Sequence, residues 1–551
     1  MKKCLWISLA ALGFVACEKD ADNGNPQNGE MEKSYIAVSL MADDMTTRTT
    51  GEYEDGDPSE RVVKNFYFFL FDEAGQPFEI DGDTNYKEVA IEETENDFGT
   101  NEPNSPEGDE NGDSESEGDG ERPNGEDAPN VSDVKDKVLM FENYKGEYPA
   151  KIVAVLNWTP PTAAASYSLD ALAEQLAGLR NTDNSFVMSN SVYASESSNP
   201  AANKEAVKAT PLSPANIAKS ENDALANPVQ IYVERIAAKV TVSTTPENNY
   251  DIGEEIGGKK VYAQVAGWDL YNEYDKSYLL KKIDPTWTGS SVGFTWNDPA
   301  WFRSYWAISL NTPFGTDNQV SYNTLDNIVD GCDYCGENTY NTNCTKVVVK
   351  ALLVDENGNS VEVATWFGHD YVGETALRTV VANSLASQLY YMDGTEYKSI
   401  EPTHLMVKEA NETNPNTSAE LKAYHVFFQL STDGEAKNWY TYSTTEGFKA
   451  ATNAEVNVIL GGVEPALLYK GGQTYYFTDI KHLISAVPAT QYGVVRNHVY
   501  KVNISSIEGF GTPVYNGNTK FDPEKPAEIT TYVSAEVRVL SWRVVNHNYD
   551  I

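Results

Sequence analysis

Short apolar runs recur along this chain, most of them alternating with polar positions, and Gly, Asn, Asp and Pro separate them. That is the period of half-buried strands rather than of helices. Tyr35 to Met41 alternates, with Ile36, Val38 and Leu40 on one face. Val62 to Asp72 is a strongly apolar strand that ends in the turn Glu73-Ala74-Gly75, and Lys151 to Trp158 reads as a buried strand. Val229 to Ser243 predicts one long strand, with a domain boundary at about 230–245. Beyond it, strands are predicted at Lys260 to Trp268, Lys346 to Asp355, Val361 to Phe367, Tyr424 to Leu430, Val456 to Leu460, Thr474 to Thr478 and His498 to Ile504. Such spacing suits an all-β sandwich with long loops.

Helical signal is scarce. Ser168 is an N-cap candidate, Asp170 sits in the first turn, and Leu169, Leu172, Leu176 and Leu179 share a helical face. Residues 181–228 are polar and loop-like. Residues from about 81 to 137 are dominated by Asp, Glu, Gly, Asn, Ser and Pro, which reads as an acidic, disordered surface insertion. It has no match to the calcium-loop pattern.

The C-terminus is unusual. Pro513 to Pro526 forms a Gly/Pro/Asn-rich linker, and Ile529 to Val545 follows it as an isolated strand. Val533, Ala535, Val537 and Val539 alternate with polar residues. From Leu540 the apolar set shifts to Leu540, Trp542 and Val544, which suggests a bulge or a two-sided environment. A strand on a linker pairs with its own sheet or with the open edge of a neighbour's.

At the other end, Lys2 and Lys3 precede the apolar run Leu5 to Val15, and Val15-Ala16 leads into Cys17. This reads as a secretory signal peptide of residues 1–16 with Cys17 as the lipidated first residue of the mature chain. No later run approaches the roughly 18–20 apolar residues of a spanning helix. Membrane contact is therefore expected only through that lipid. Residues 18–32 are a polar tether. The net charge of −41 makes nucleic acid and anionic membranes poor partners.

Three of the five cysteines cluster as Cys332, Cys335 and Cys344. In an exported chain a disulfide is the simplest reading, with one thiol left over; free buried thiols and a metal site are the other two. Chemistry is otherwise hard to find. The six His show no ligand spacing, and no nucleophile elbow, phosphate loop or dinucleotide fingerprint is present. No catalytic residue, cofactor or metal is predicted, and the chain reads as a non-enzyme.

Several stretches resemble the Bacteroidales fimbrillins, most closely the shaft subunit of the Mfa-type (short or minor) fimbriae. They are the lipobox at Val15-Ala16-Cys17, Arg48 shortly after the first strand, and Tyr232 to Val240. Tyr334-Cys335-Gly336-Glu337-Asn338-Thr339, Arg496 to Ile504 and the last strand through Trp542 to Asp550 complete the set. The resemblance implies two tandem transthyretin-like β-sandwiches, at 49–240 and 241–525, followed by a donor strand at 526–551. It implies a lipoprotein precursor at the outer membrane whose residues 17–48 are removed by an Arg-specific protease cutting between Arg48 and Thr49. Arg61, which abuts a strand, is the second choice. Losing Ile36, Val38 and Leu40 with the first strand would open a groove. Val533, Ala535, Val537, Val539, Leu540 and Trp542 of a neighbouring copy would then fill it. The implied product is the stalk of a surface fimbria supporting adhesion. Its implied partners are further copies of the chain, anchor and tip subunits, and the lipoprotein-processing enzymes. An anchor or tip-adhesin subunit, or a glycan-binding outer-membrane lipoprotein, is the alternative. The acidic insertion and the cysteine cluster depart from the family pattern.

Overall fold

A computed structural model describes residues 31–41, 57–89, 137–162, 165–191, 193–194, 206–244, 248–282, 308–310, 320–325, 328–340, 342–419, 421–482, 492–521 and 532–540. The chain is all-β with few, mostly short helices, as its alternating pattern predicts.

The first half builds one sheet from β1 (Met31–Met41), β2 (Phe66–Phe71), β3 (Tyr86–Val89), β4 (Lys137–Tyr144), β5 (Lys151–Leu156), β6 (Met188–Asn190) and β7 (Val229–Arg235). Their order is β3-β2-β5-β6-β7-β1-β4. Strands from both ends of that order supply one core, because Phe68 and Phe69 of β2 share it with Leu139 and Phe141 of β4. The sheet therefore curls over its own apolar face. Asp81 helps to close it: its amide donates to the Glu142 carbonyl at 2.8 Å, and its carboxylate accepts from the Glu142 amide at 2.7 Å.

The stretch 229–243 is two strands, not one. β7 ends at Arg235, and β8 (Ala238–Ser243) begins a different sheet. Ile236 and Ala237 belong to the first core and Ala238 to the second, so the chain crosses between cores over a single peptide bond. Residues Val233 to Ala238 are buried without interruption, the charged Glu234 and Arg235 included.

The second half is a two-sheet sandwich. One sheet holds β8, β11 (Cys332–Cys335), β19 (Val499–Glu508) and β21 (Tyr532–Leu540), in the order β11-β8-β19-β21. The other holds β9 (Asn249–Ile256), β10 (Lys259–Tyr271), β12 (Lys346–Val354), β18 (Gln473–Asp479) and β20 (Thr512–Pro513), in that order. Val240, Val242, Val502 and Ile504 face Ala263, Trp268, Val349 and Tyr476 across the core. Between β12 and β18 the chain leaves the sandwich and builds a side lobe with a third core, around Leu377, Val381, Phe428, Trp439 and Leu460.

Several expectations need correction. The helix at Ser168 is α1 (Leu169–Ala173), capped by Ser168 Oγ accepting from the Ala171 amide, but it lasts five residues. Leu176 to Gly178 then pairs as a strand with Lys276 to Tyr278, because that edge offers a ladder that a longer helix would forgo. Val456 to Leu460 is helical, within Asn453–Gly461, where Thr452 and Glu455 form a capping box. A further helix, Gly373–Leu385, lies where none was expected. Residues 81–89 are folded rather than part of an acidic insertion. The Asn85 side chain is buried there, donating to the Leu70 and Tyr167 carbonyls and accepting from the Tyr167 amide. Within 181–228, β6, Thr210–Pro211 and Glu221–Leu225 are ordered. The start of the C-terminal linker is also packed: Phe521 stacks on Tyr475 at 3.9 Å.

Candidate functional site

β1 is an interior strand. Met31 to Val38 pair antiparallel with Tyr144 to Lys137 of β4, and Val38 to Met41 pair parallel with Val229 to Tyr232 of β7. Tyr35 exchanges backbone hydrogen bonds with Ala218 at 3.0 and 2.9 Å, filling the same edge upstream. Alternation sends Ile36, Val38 and Leu40 into the main core, each at most 1% exposed. On the opposite face Ala37 packs with Ala218 and with Ala224 of α2 (Glu221–Leu225). Three fully buried aliphatic side chains are worth roughly 5–9 kcal/mol in transfer terms. That rivals the ~5–15 kcal/mol net stability of a whole domain. Withdrawing β1 would thus leave a slot with ladder groups bare on both walls and three apolar sites vacant.

The outer end of β1 is latched by charge. Glu32 lies 2.7 Å from Lys219 Nζ and accepts from the Tyr148 hydroxyl at 2.9 Å. The Lys219 and Tyr148 hydrogen bonds hold the Glu32 carboxyl below its ordinary range. The latch is surface-exposed and adds little beside the buried aliphatics.

Downstream of β1, residues 57–61 are fixed between the two halves. The buried Glu60 carboxylate accepts from Lys239 of β8 at 2.5 Å and from the Tyr334 hydroxyl of β11 at 2.5 Å, and Arg235 Nε donates to the Glu60 carbonyl at 2.7 Å. Burial works against the charge on Lys239, but Glu60 outweighs it and the ammonium is held above its usual range. Burial and the bond to Glu60 push the Tyr334 phenol far upward. Between Met41 and Asp57 the sequence carries Arg48. Cys17, Arg48 and Thr49 lie outside the described residues, and Arg61 ends the short 3₁₀ turn Pro58–Arg61 whose Glu60 is so anchored.

At the other terminus β21 lies antiparallel on β19. Val539 stands opposite Tyr500, Val537 opposite Val502, Ala535 opposite Ile504 and Val533 opposite Ile507. All four β19 partners are core residues, so the period of the last strand is in phase with the buried face of its neighbour. A bulge occurs on β19 between Ile504 and Ser506, whereas the shift of the apolar set that begins at Leu540 runs into 541–545, outside the described residues. Leu540 pairs with Val499, and Trp542 lies outside the described residues.

The three clustered cysteines are free thiols, so the expected bridge is not formed. Cys332 and Cys335 sit three residues apart on one strand, which sets their Cα atoms roughly 10 Å apart on opposite faces. That is beyond disulfide reach. Burial pushes the Cys335 thiol well up, and burial with the Asp479 charge pushes Cys344 up to about 12. Burial, and then the charges of Asp333, Asp269 and Asp275, raise Glu273 to about 8. No group of three or more His, Cys, Asp or Glu placed to hold a metal occurs among the described residues.

Residues 467–548 match the family model described as major fimbrial subunit protein type IV, fimbrillin, C-terminal. No curated protein matches the chain. Solved structures with a partial likeness include a fimbrilin from Porphyromonas gingivalis W83, at 12% identity and a TM-score of 0.33, covering 91% of this chain and 96% of that one. A fimbrial assembly protein from Parabacteroides distasonis ATCC 8503 gives 11% and 0.26, covering 77% and 100%. The C-terminally truncated tip fimbrial protein Mfa3 from Porphyromonas gingivalis gives 10% and 0.25, covering 92% and 99%. Scores this low carry no functional meaning, so the assignment rests on the matched segment. That segment contains β18, β19, β20 and β21, the strands that close the second sandwich. The last part of the chain, residues 467–548, is thus similar to the C-terminal segment of the fimbrillins.

Proposed function

We propose that the chain is the stalk subunit of a Mfa-type fimbria, exported as a lipoprotein on Cys17 and polymerised by strand exchange after cleavage between Arg48 and Thr49. The observation that carries this reading is the place of β1: the first described strand, interior to its sheet, with Arg48 in the stretch between it and the anchored residues 57–61. A cut at Arg48 would free β1 while Glu60 keeps the new N-terminal region attached. A cut after Arg61 would sever the chain at that anchor, which disfavours it.

The vacated slot asks for apolar residues at every second position, where Ile36, Val38 and Leu40 stood. Val533, Ala535, Val537 and Val539 of a second copy offer that period. Strand addition supplies main-chain hydrogen bonds and fills alternate pockets. A slot at one end and a donor at the other make a contact that does not close, hence a filament. In the free subunit β21 rests on β19, so the precursor holds both partners of the exchange occupied. On this scheme residues 17–48 are a propeptide, 49–240 and 241–525 are the two sandwich domains, and 526–551 is the donor. Other copies, anchor and tip subunits and the processing enzymes are its partners.

The test is the N-terminal sequence and intact mass of protein sheared from the cell surface. High-molecular-weight material beginning at Thr49 is expected. A monomer still beginning at acylated Cys17 would overturn the stalk reading.

A further inference from the structure

Within the side lobe, β14 (Leu389–Asp393), β15 (Glu396–Ser399), β16 (Trp439–Ser443) and β17 (Gly447–Ala451) form a four-stranded sheet in the order β15-β14-β16-β17. One face packs Leu389, Tyr391 and Trp439 into the lobe's core. The other presents Tyr390, Met392, Tyr397, Tyr440, Tyr442 and Phe448. Rings from the two edge strands meet above the central pair: Tyr397 and Phe448 stack at 3.8 Å with planes 4° apart. Tyr440 stands edge-on to Tyr397 at 5.0 Å, and Tyr390 edge-on to Phe448 at 5.0 Å. Tyr397, Phe448 and Tyr442 remain 40%, 40% and 39% exposed. Each ring is thus held by another, and the cluster is rigid without being covered.

Two further observations say what fits it. First, the register aligns this face's remaining positions as Ser399 and Ala450, so it carries no charged side chain, in a chain of net charge −41. The nearby ion pair of Lys398 with Asp393 belongs to the other face, in phase with Tyr391. An ionic ligand would find no counter-charge here. Second, none of the hydroxyls of Tyr390, Tyr397, Tyr440 and Tyr442 is bonded within the described protein, which leaves four donor-acceptors at the rim of the rings. We propose that this face is a binding site for a neutral saccharide, pyranose C–H faces lying on the rings and sugar hydroxyls meeting the tyrosine hydroxyls. Aromatic surfaces with polar tips serve this chemistry because one group supplies both contacts. The lobe stands outside the sandwich, between β12 and β18, so binding there leaves the strand exchange proposed above untouched.

This inference goes beyond the stalk reading, and its test uses the unpolymerised full chain. Binding of neutral hexasaccharides of glucose, mannose, galactose and N-acetylglucosamine would be measured by titration calorimetry, with a heparin hexasaccharide as the charged comparison. At least one neutral probe is expected to bind. The exposed double variant Tyr397→Ala/Phe448→Ala, with an unchanged thermal midpoint, is expected to weaken that binding by about tenfold or more, as loss of aromatic anchors does. Tyr442→Phe, which removes one hydroxyl and no ring, provides a second, gentler reading in the same direction. Binding by no neutral probe, preference for heparin, or equal affinity in the double variant would overturn the proposal. So would concentration-dependent self-association of the chain that the double variant abolishes, which would make the face a contact between copies.

Discussion

Arg496 and Glu337, 159 residues apart, form a buried ion pair: Nη2 stands 2.6 Å from Glu337 Oε2, and Nε donates to the same oxygen at 2.7 Å. The guanidinium also donates to the carbonyls of Tyr278 at 2.7 Å and Leu279 at 3.3 Å, so its fork is spent on one carboxylate and two main-chain acceptors. Two of the short stretches that carry the family resemblance, Tyr334 to Thr339 and Arg496 to Ile504, are thereby joined. Gly336 belongs to the same junction, since a Cβ there would collide with the Lys276 carbonyl.

Breaking one side of this pair strands the other. Glu337→Ala is expected to lower unfolding stability by about 3–5 kcal/mol, the usual cost of leaving a buried charge unpaired. Arg496→Lys is expected to be nearly as damaging, because an ammonium cannot reach the carboxylate and both carbonyls in one plane. Denaturant titration of the two variants checks both. A loss within half a kilocalorie of zero would mean that the pair has water access.

The thiols give a cheaper test of the junction. Cys332 is half-buried, with Sγ 3.5 Å from the Tyr334 hydroxyl, whereas Cys335 and Cys344 are buried and their thiols raised. Reaction with iodoacetamide depends on thiolate and access. Of these three, Cys332 is expected to label first in the native chain, and all three are expected to label after denaturation. Peptide mass mapping reads this directly. A mass two units low in the unreduced chain would instead reveal a bridge.

Much of this fold was legible from period two alone. Lys259–Tyr271, Lys346–Val354 and Gln473–Asp479 fall where the strand pattern predicts them; the first alternates between buried and exposed positions, and the other two are also covered on part of their second face, at Val348 and Tyr475. The misses share a cause. Val456 to Leu460 is apolar and short, and a run of that kind fits a strand or a helix until the Thr452–Glu455 capping box decides. Tyr86 to Val89 lies beside a long acidic stretch whose composition hid it; the signal that survives is Asn85, an amide spent on three buried backbone groups. The interior position of β1 was not legible either. Its apolar face is written in Ile36, Val38 and Leu40, but its two partners lie about 100 and 190 residues downstream, at 137–144 and 229–232. No local pattern encodes such a pairing.

Glu273 makes a pH prediction. Its folded pKa of about 8 lies above the ordinary carboxyl value of 4.5, so the folded chain holds a proton there that the unfolded chain releases. The sign follows from linkage: this contribution is fully present below about pH 4.5 and is lost as pH rises through 8. Glu273→Gln, which keeps the neutral form at every pH, is expected to leave the denaturation midpoint unchanged near pH 4.5 and to raise it at pH 8.5. Equal midpoints of variant and parent at pH 8.5 would place the carboxyl in water.

The last strand is where the stalk reading meets its sharpest test. Val537 stands opposite Val502 in the free subunit, and on the proposed exchange it would enter the slot left by β1 in the next copy. Deleting residues 529–551 bares the β19 edge but leaves the other strands of both sheets of the sandwich in place, so a folded, secreted monomer is expected with no polymer. Val537→Asp is the finer probe. A carboxylate there resists burial in an apolar slot. Arg538→Ala, one position along and out of phase with the apolar set, is expected to polymerise normally. Heat-stable polymer is read by gel mobility of unboiled surface protein. Polymer that survives the deletion, or that is lost equally with Val537→Asp and Arg538→Ala, would separate assembly from the alternation of this strand.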